Sequence, residues 1–252
     1  MTPVILLVDD NEEIVAFVSS ILSPSYTMLA AENGQAAISI LHEKVVDLVI
    51  SDVMMPVMDG FELCKRIKTT PEISHIPVIL LTAKNTLQSK IEGLETGADA
   101  YIEKPFSPAY LKAQLISLLT NRDKIRKYFT STPLAHINTI AHTREDENFL
   151  EQIHHCILQE IENTELDVEY LSKFFNMSRI SLYRKIKAIS DLTPHELINI
   201  TRLKRAAELL STQKYKIYEV AMVVGFKSQN HFGKSFIKQF GVSPSHYMQQ
   251  KR

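Results

Sequence analysis

Cysteine is scarce in this chain of 252 residues. It has two, Cys64 and Cys156, far apart and without a Cys-x-x-Cys spacing. That excludes a disulfide framework and a cysteine-built zinc site, and the expected compartment is a reducing cytoplasm. No apolar run reaches the roughly 18 residues of a membrane helix. The N-terminus lacks a basic n-region: Val4-Ile5-Leu6-Leu7-Val8 leads straight into acid, so no secretory signal is expected. The seven glycines form neither GxGxxG nor GxxxxGK, so dinucleotide and P-loop nucleotide binding lose their sequence support. No ATP-binding glycine boxes occur either, which excludes a histidine kinase within this chain. What is present is ordinary for globular protein, 45% apolar and 23% charged residues, over a length that suits two domains.

A net charge of -1 hides an asymmetry. Residues 1–124 carry 10 Lys and Arg against 16 Asp and Glu; residues 125–252 carry 18 against 13. From Leu166 onward the count is 15 against 6. An acidic front and a basic tail suggest a regulatory or catalytic domain joined to one that binds a polyanion, although uneven surface charge has the same signature.

Periodicity divides the chain in the same way. Short apolar runs at 4–8, 26–30, 45–50, 77–81 and 99–102 read as buried parallel strands. Helical spacing lies between them: Ile14, Phe17, Val18, Ile21 and Leu22, then Leu111, Leu115, Leu118 and Leu119. The alternation predicts a doubly wound α/β sheet over 1–121, with ligands at the carboxyl ends of its strands. Residues 122–160 read as a linker, basic at first and then an acidic helix of about 146–163. Residues 161–252 read as an all-α domain with an internal repeat. A shift of 50 takes Ser178 to Ser228, Leu182 to Phe232, Ile186 to Phe236 and Thr193-Pro194 to Ser243-Pro244. Each copy predicts two helices joined by a tight turn, with Asn176 or Gly225 supplying positive φ. A long helix around 196–210 connects the copies.

Three acids fall at predicted strand ends: Asp9, Asp10 and Asp52. Carboxylates that close need a cation, and an oxygen-only site suits Mg²⁺. Two further strand ends supply Thr82 and Lys104. A nucleophilic carboxylate, a metal site, a hydroxyl and an ammonium are the parts of phosphoryl transfer. Taken singly, Asp10, Asp52 and Thr82 also read as helix or turn caps; five such residues together favour a site.

Val8-Asp9-Asp10, Ser51-Asp52-Val53-Met54-Met55-Pro56 with Asp59-Gly60, Leu81-Thr82-Ala83 and Lys104-Pro105-Phe106 resemble the receiver domain of bacterial two-component response regulators. The resemblance covers about 3–120 and implies a five-stranded parallel sheet in flavodoxin-like order 2-1-3-4-5. It also implies that Asp52 is the phosphoacceptor, with Asp10, Asp52 and the Met54 carbonyl ligating Mg²⁺ and Asp9 assisting through water. Lys104 would pair with the phosphoryl group, Thr82 would capture it, and Tyr101 would be the aromatic that swings inward. A flavin-binding domain would want a hydroxyl- and glycine-rich loop where this chain has Asp9-Asp10-Asn11. A haloacid-dehalogenase-type phosphatase needs a general acid at the position of Met54, which cannot transfer a proton. A slow switch is therefore favoured over a turnover enzyme.

In the tail, Leu182, Ile186 and Ile189 form one stripe of a helix, and Ile180, Tyr183, Arg184 and Lys187 another. In the second copy Phe232, Phe236 and Phe240 oppose Asn230, His231, Lys234 and Lys238. An apolar stripe backed by a basic, hydrogen-bonding one suits a DNA major groove, though a lone basic stripe is as often a solvated face. Ser178-Arg179-Ile180-Ser181-Leu182-Tyr183-Arg184-Lys185, Arg202-Leu203-Lys204-Arg205-Ala206, Val224-Gly225-Phe226 and Phe240-Gly241-Val242-Ser243-Pro244 with Tyr247 resemble AraC-type DNA-binding domains over about 160–250. That resemblance implies base contacts from Ile180, Tyr183 and Arg184 in the first copy, and from Gln229, Asn230, His231 and Lys234 in the second. Gly233 interrupts the second recognition helix. His154-His155 read as solvated surface, and His195 as part of a helix start.

The expected protein is a phosphorylation-controlled transcription regulator in the cytoplasm. Its expected partners are double-stranded DNA and a phosphohistidine kinase, with homodimerisation on phosphorylation and no membrane contact. The order of domains also resembles the C-terminal end of Bacteroidetes-type hybrid sensors, where a kinase precedes both on one chain. The alternative is a phosphorelay receiver whose tail binds protein rather than DNA.

Overall fold

In a strand, successive side chains leave on opposite faces, and here both faces are covered. The computed structural model describes residues 2–83, 96–131 and 144–250, and the chain divides into two units, Met1–Lys124 and Ile125–Arg252. The first holds strands β1 (Val4–Val8), β2 (Thr27–Ala31), β3 (Leu48–Asp52), β4 (Val78–Thr82) and β5 (Ala100–Glu103). Every pairing is parallel, in the order β2-β1-β3-β4-β5. Helices α1 (Glu12–Leu22), α2 (Gly34–Glu43), α3 (Gly60–Thr69) and α4 (Pro108–Ser131) accompany them. Leu6, Val8, Val49 and Leu80 pack with Ala37 and Leu41 of α2 and with Leu63, Cys64 and Ile67 of α3. Their strand neighbours Ile5, Leu7, Ile50, Ile79 and Leu81 pack the other way, with Val18 and Leu22 of α1 and Leu111 and Leu115 of α4. This is the doubly wound sheet that the continuous apolar runs and the period-3.6 patterns predict.

Three details differ from the pattern. Strand β3 starts at Leu48 rather than 45, because Asp47 turns aside to exchange two hydrogen bonds with Val4, one through its carboxylate and one through its amide. Phe17, assigned to the buried stripe of α1, is half exposed. Helix α4 runs to Ser131, beyond the expected linker start at 122. The strand-helix alternation also calls for a helix between β4 and β5, at about 87–95; those residues lie outside the described ones.

The second unit is helical: α5 (Arg144–Gln159), α6 (Val168–Phe174), α7 (Arg179–Ser190), α8 (Pro194–Ser211), α9 (Ile217–Val223), α10 (Gln229–Phe240) and α11 (Pro244–Gln250). It has two cores. Helices α5, α6 and α7 surround Leu150, Ile153, Leu171, Leu182 and Ile186, joined by Leu197 and Ile198 from the start of α8. The rest of α8 (Leu203, Ala206, Ala207 and Leu210) packs with Val220, Phe232 and Phe236. One long helix therefore serves both copies. The acidic helix expected within the linker, α5, is a structural member of the first core.

The repeat extends to the caps. Ser178 and Ser228 cap α7 and α10 at their N-termini; Asp191 and Gly241, both left-handed, end them. Thr193 and Ser243 accept the amides of Glu196 and His246. The turn inside each unit differs. It occupies 175–178 in the first copy and 224–228 in the second, one residue longer, with positive φ at Asn176 and Gly225. Gly225 is required twice over, since a Cβ there would lie 2.2 Å from the Ile161 carbonyl oxygen. Among the described residues no helix is long and apolar enough to cross a membrane.

Candidate phosphoacceptor pocket and nucleic-acid interface

The carboxyl ends of β1, β3, β4 and β5 bring the first site together. Asp9 follows β1, its amide bonded to the Ala31 carbonyl. Asp52 ends β3 and Thr82 ends β4. Lys104 follows β5, and its amide donates to the Thr82 carbonyl at 2.7 Å. From there its Nζ reaches Asp52 Oδ1 at 2.6 Å and Asp9 Oδ2 at 3.0 Å. The other oxygen of Asp52 accepts the Met54 amide at 2.7 Å, and Asp9 Oδ1 accepts the Asn11 amide at 2.9 Å. Asp9, Asp52 and Thr82 are buried, whereas Asp10 and the Met54 side chain are exposed.

The electrostatics follow from this burial. Desolvation raises the Asp52 carboxyl above its ordinary range, and the hydrogen bond and charge of Lys104 only partly oppose it. Burial alone would lower Lys104; its hydrogen bonds to Asp52 and Asp9 outweigh that and hold the ammonium above its ordinary range. Two carboxylates against one ammonium leave the pocket one negative charge in excess. Among the described residues no three acidic, histidine or cysteine side chains converge on a single cation position. Mg²⁺ needs only one or two carboxylates and keeps several waters. The donors are hard oxygens with excess negative charge, so their chemistry fits that ion.

The cap reading fails for Asp10 but holds for Asp52 at its turn, where its carboxylate accepts the Met54 amide. Asn11, not Asp10, caps α1 by accepting two amides, and Asp59 caps α3. Gly60 has a positional role that its sequence neighbours did not reveal. A Cβ there would lie 2.1 Å from the Asp52 carbonyl oxygen, so only glycine lets α3 start against the acid's backbone. Tyr101 pairs with Leu80 across the sheet, and its hydroxyl is buried with no hydrogen-bond partner among the described residues. Also missed is an ion pair from the buried Lys68 to Asp99 at 2.6 Å, which ties α3 to the start of β5.

The second site lies on α7 and α10. Leu182, Ile186 and Ile189 are buried; Ile180, Tyr183 and Lys187 are exposed and Arg184 is half-buried. Ile180, Tyr183 and Arg184 line one shallow concavity with Ser178, Arg179 and Val168. Lys187 is engaged at the end of its helix, where Nζ meets both the carboxylate and the carbonyl of Asp191. In the second copy Phe232 and Phe236 are buried, Phe240 is half-buried, and Gln229, Asn230, His231 and Lys234 are exposed. Gln229, Asn230 and Lys234 line a second concavity together with Gly233 and Ile237. The His231 ring leans on Phe226 at 5.4 Å between centroids. Helix α10 continues through Gly233, where a Cβ would meet nothing within 4 Å.

Residues 5–116 match the response regulator receiver domain family, and residues 171–250 match a helix-turn-helix domain family. The chain is 40% identical over 243 residues to Histidine kinase P4 of Formosa agariphila, covering 96% of this chain but 18% of that protein. Over 137 residues it is 36% identical to the probable transcriptional regulator ycf27 of Guillardia theta, about half the length of each. Among solved structures it is similar to a signal receiver domain of a signal transduction histidine kinase from Syntrophus aciditrophicus. That likeness has 37% identity and a TM-score of 0.46, over 47% of this chain and 91% of that one. The chain thus joins a response regulator receiver domain over residues 5–116 to an AraC-type helix-turn-helix domain over residues 171–250.

Proposed function

We propose that Asp52 accepts a phosphoryl group from a phosphohistidine and that the acyl phosphate so formed governs DNA binding by α7 and α10. One observation carries the first half: Lys104 Nζ joins Asp9 and Asp52 from three strand ends. An Asp52 oxygen attacks phosphorus, the P–N bond to the donor imidazole breaks, and that nitrogen keeps the electron pair. The Met54 amide and Lys104 hold the carboxylate, and Lys104 remains to neutralise the new phosphoryl charge. Asp10, Asp52 and the Met54 carbonyl would hold Mg²⁺, with Asp9 assisting; the ion supplies charge neutralisation during transfer. Thr82 and Tyr101 would carry the change away from the pocket.

A donor kinase on the same, longer chain is supported by the match to a protein named a histidine kinase, of which this chain spans 18%. A separate kinase would do the same chemistry. No general acid stands two residues after Asp52, where Met54 lies, so the phosphoryl group is held rather than turned over rapidly.

The test is labelling by a small phosphodonor, acetyl phosphate, with Mg²⁺, read by mass spectrometry. Wild-type protein should gain one phosphoryl group and Asp52→Asn none, with both folding alike. Undiminished stoichiometric labelling of the variant would overturn the assignment of Asp52.

A further inference from the structure

Lysine is seldom found dry, yet Lys185, in the middle of α7, is fully buried. Its ammonium meets Asp146 Oδ1 at 3.2 Å, and Asp146 is fully buried as well. The same nitrogen lies 4.7 Å from the centre of the Phe149 ring. Asp146 and Phe149 sit one turn apart near the start of α5, outside the 171–250 match.

Burying two charges costs desolvation, and a well-packed apolar pair of similar volume is often as stable or more so. What an ion pair has that leucine lacks is direction. The apolar contacts of Leu182, Ile186 and Ile189 tolerate small rotations and slides of α7; a buried ammonium finds its carboxylate and ring at one rotation only. Tyr183 and Arg184 immediately precede Lys185, so the rotation that satisfies the pair also sets how they face outward. We propose that Asp146–Lys185 is a positioning pair for base reading: it fixes the rotation of α7 and makes α5 part of the DNA-reading unit. The second copy has no equivalent: the shift of 50 that takes Leu182 to Phe232 and Ile186 to Phe236 puts Ser235 at the position of Lys185.

The inference rests on the DNA-binding reading above, and the test separates the two. The full chain is challenged with a pool of random duplex DNA, and the enriched site is compared among wild type, Asp146→Leu/Lys185→Met and Asp146→Asn. The apolar double variant should melt at or above the wild-type temperature. Its preference for the wild-type site over random duplex should fall at least tenfold, with the loss confined to the groove segment read by α7. The segment read by α10, random-duplex affinity and the salt slope should not change, since neither residue reaches phosphate. Asp146→Asn, which keeps a hydrogen-bonding partner for Lys185, should fold and show a smaller loss at the same segment. Equal weakening of both segments, or unchanged preference in both variants, overturns the positioning role. If the wild type enriches no sequence, base reading itself fails and this inference falls with it.

Discussion

Lys104 and Lys204 show how the same side chain is set in opposite directions by its surroundings. Lys104 is held above its ordinary range by Asp52 and Asp9, so its contribution to stability is complete at neutral pH and is lost only as pH rises past that range. Its proposed task is to sense the phosphoryl group rather than to attack. Lys104→Ala should therefore still label with acetyl phosphate, while phosphorylation should no longer change association or DNA binding. Loss of labelling would make Lys104 part of the transfer step itself. Lys204, half-buried on α8, is lowered by burial from 10.5 to about 8. Between those two values the unfolded chain binds the extra proton, so stability rises with pH across that window. Lys204→Met should be more stable than wild type at pH 7, and the gap should close between pH 8 and 10.5. Melting temperatures of both proteins across that range check the sign.

On α7 the four expected contacts do not share one environment. Ile180, Tyr183 and Arg184 line one concavity, whereas Lys187 is bound into the end of its own helix by Asp191. Arg184 can offer two donors to a guanine, worth roughly 1–3 kcal/mol of discrimination. Arg184→Ala should weaken an enriched site more than random duplex. Lys187→Ala should weaken both alike and flatten the salt slope by about one unit, less if Asp191 retains the lysine. If Arg184→Ala weakens both equally, Arg184 touches only phosphate, and reading in this copy rests on Ile180 and Tyr183. The two-helix units were legible in the sequence because each needs an apolar stripe, a cap and a turn residue, all local. The role of α5 was not legible: its acidic first turn reads as a solvated face, and nothing local indicates that Asp146 meets a lysine 39 residues away.

At the scale of the whole chain, a phosphoryl group at Asp52 has to alter something that DNA senses. A switch requires a contact that differs between its two states. Thr82 and Tyr101 lead from the pocket toward the β5 edge of the sheet, and a buried Tyr101 hydroxyl without a hydrogen-bond partner among the described residues has something to gain by moving. Protein treated with beryllofluoride and Mg²⁺ should therefore self-associate in sedimentation at micromolar concentration, and Asp52→Asn should not. A treated wild type that stays monomeric removes this route of activation for the chain.

The five parallel strands, the helical region that follows them, the repeat and the strand-end positions of Asp9, Asp52 and Lys104 could all be read from order along the chain. Each depends on period, local capping or a position at a strand end. Tertiary structure alone decided the rest. Lys104 reaches Asp9 and Asp52 only because parallel pairing in the order β2-β1-β3-β4-β5 aligns the ends of strands that are distant in sequence. Gly60 is needed only because a helix starts against the Asp52 carbonyl, and Phe17 lies outside the core although its spacing belongs to the stripe. Periodicity says which face of an element is apolar; it does not say which neighbour covers that face, or which charge is buried with it.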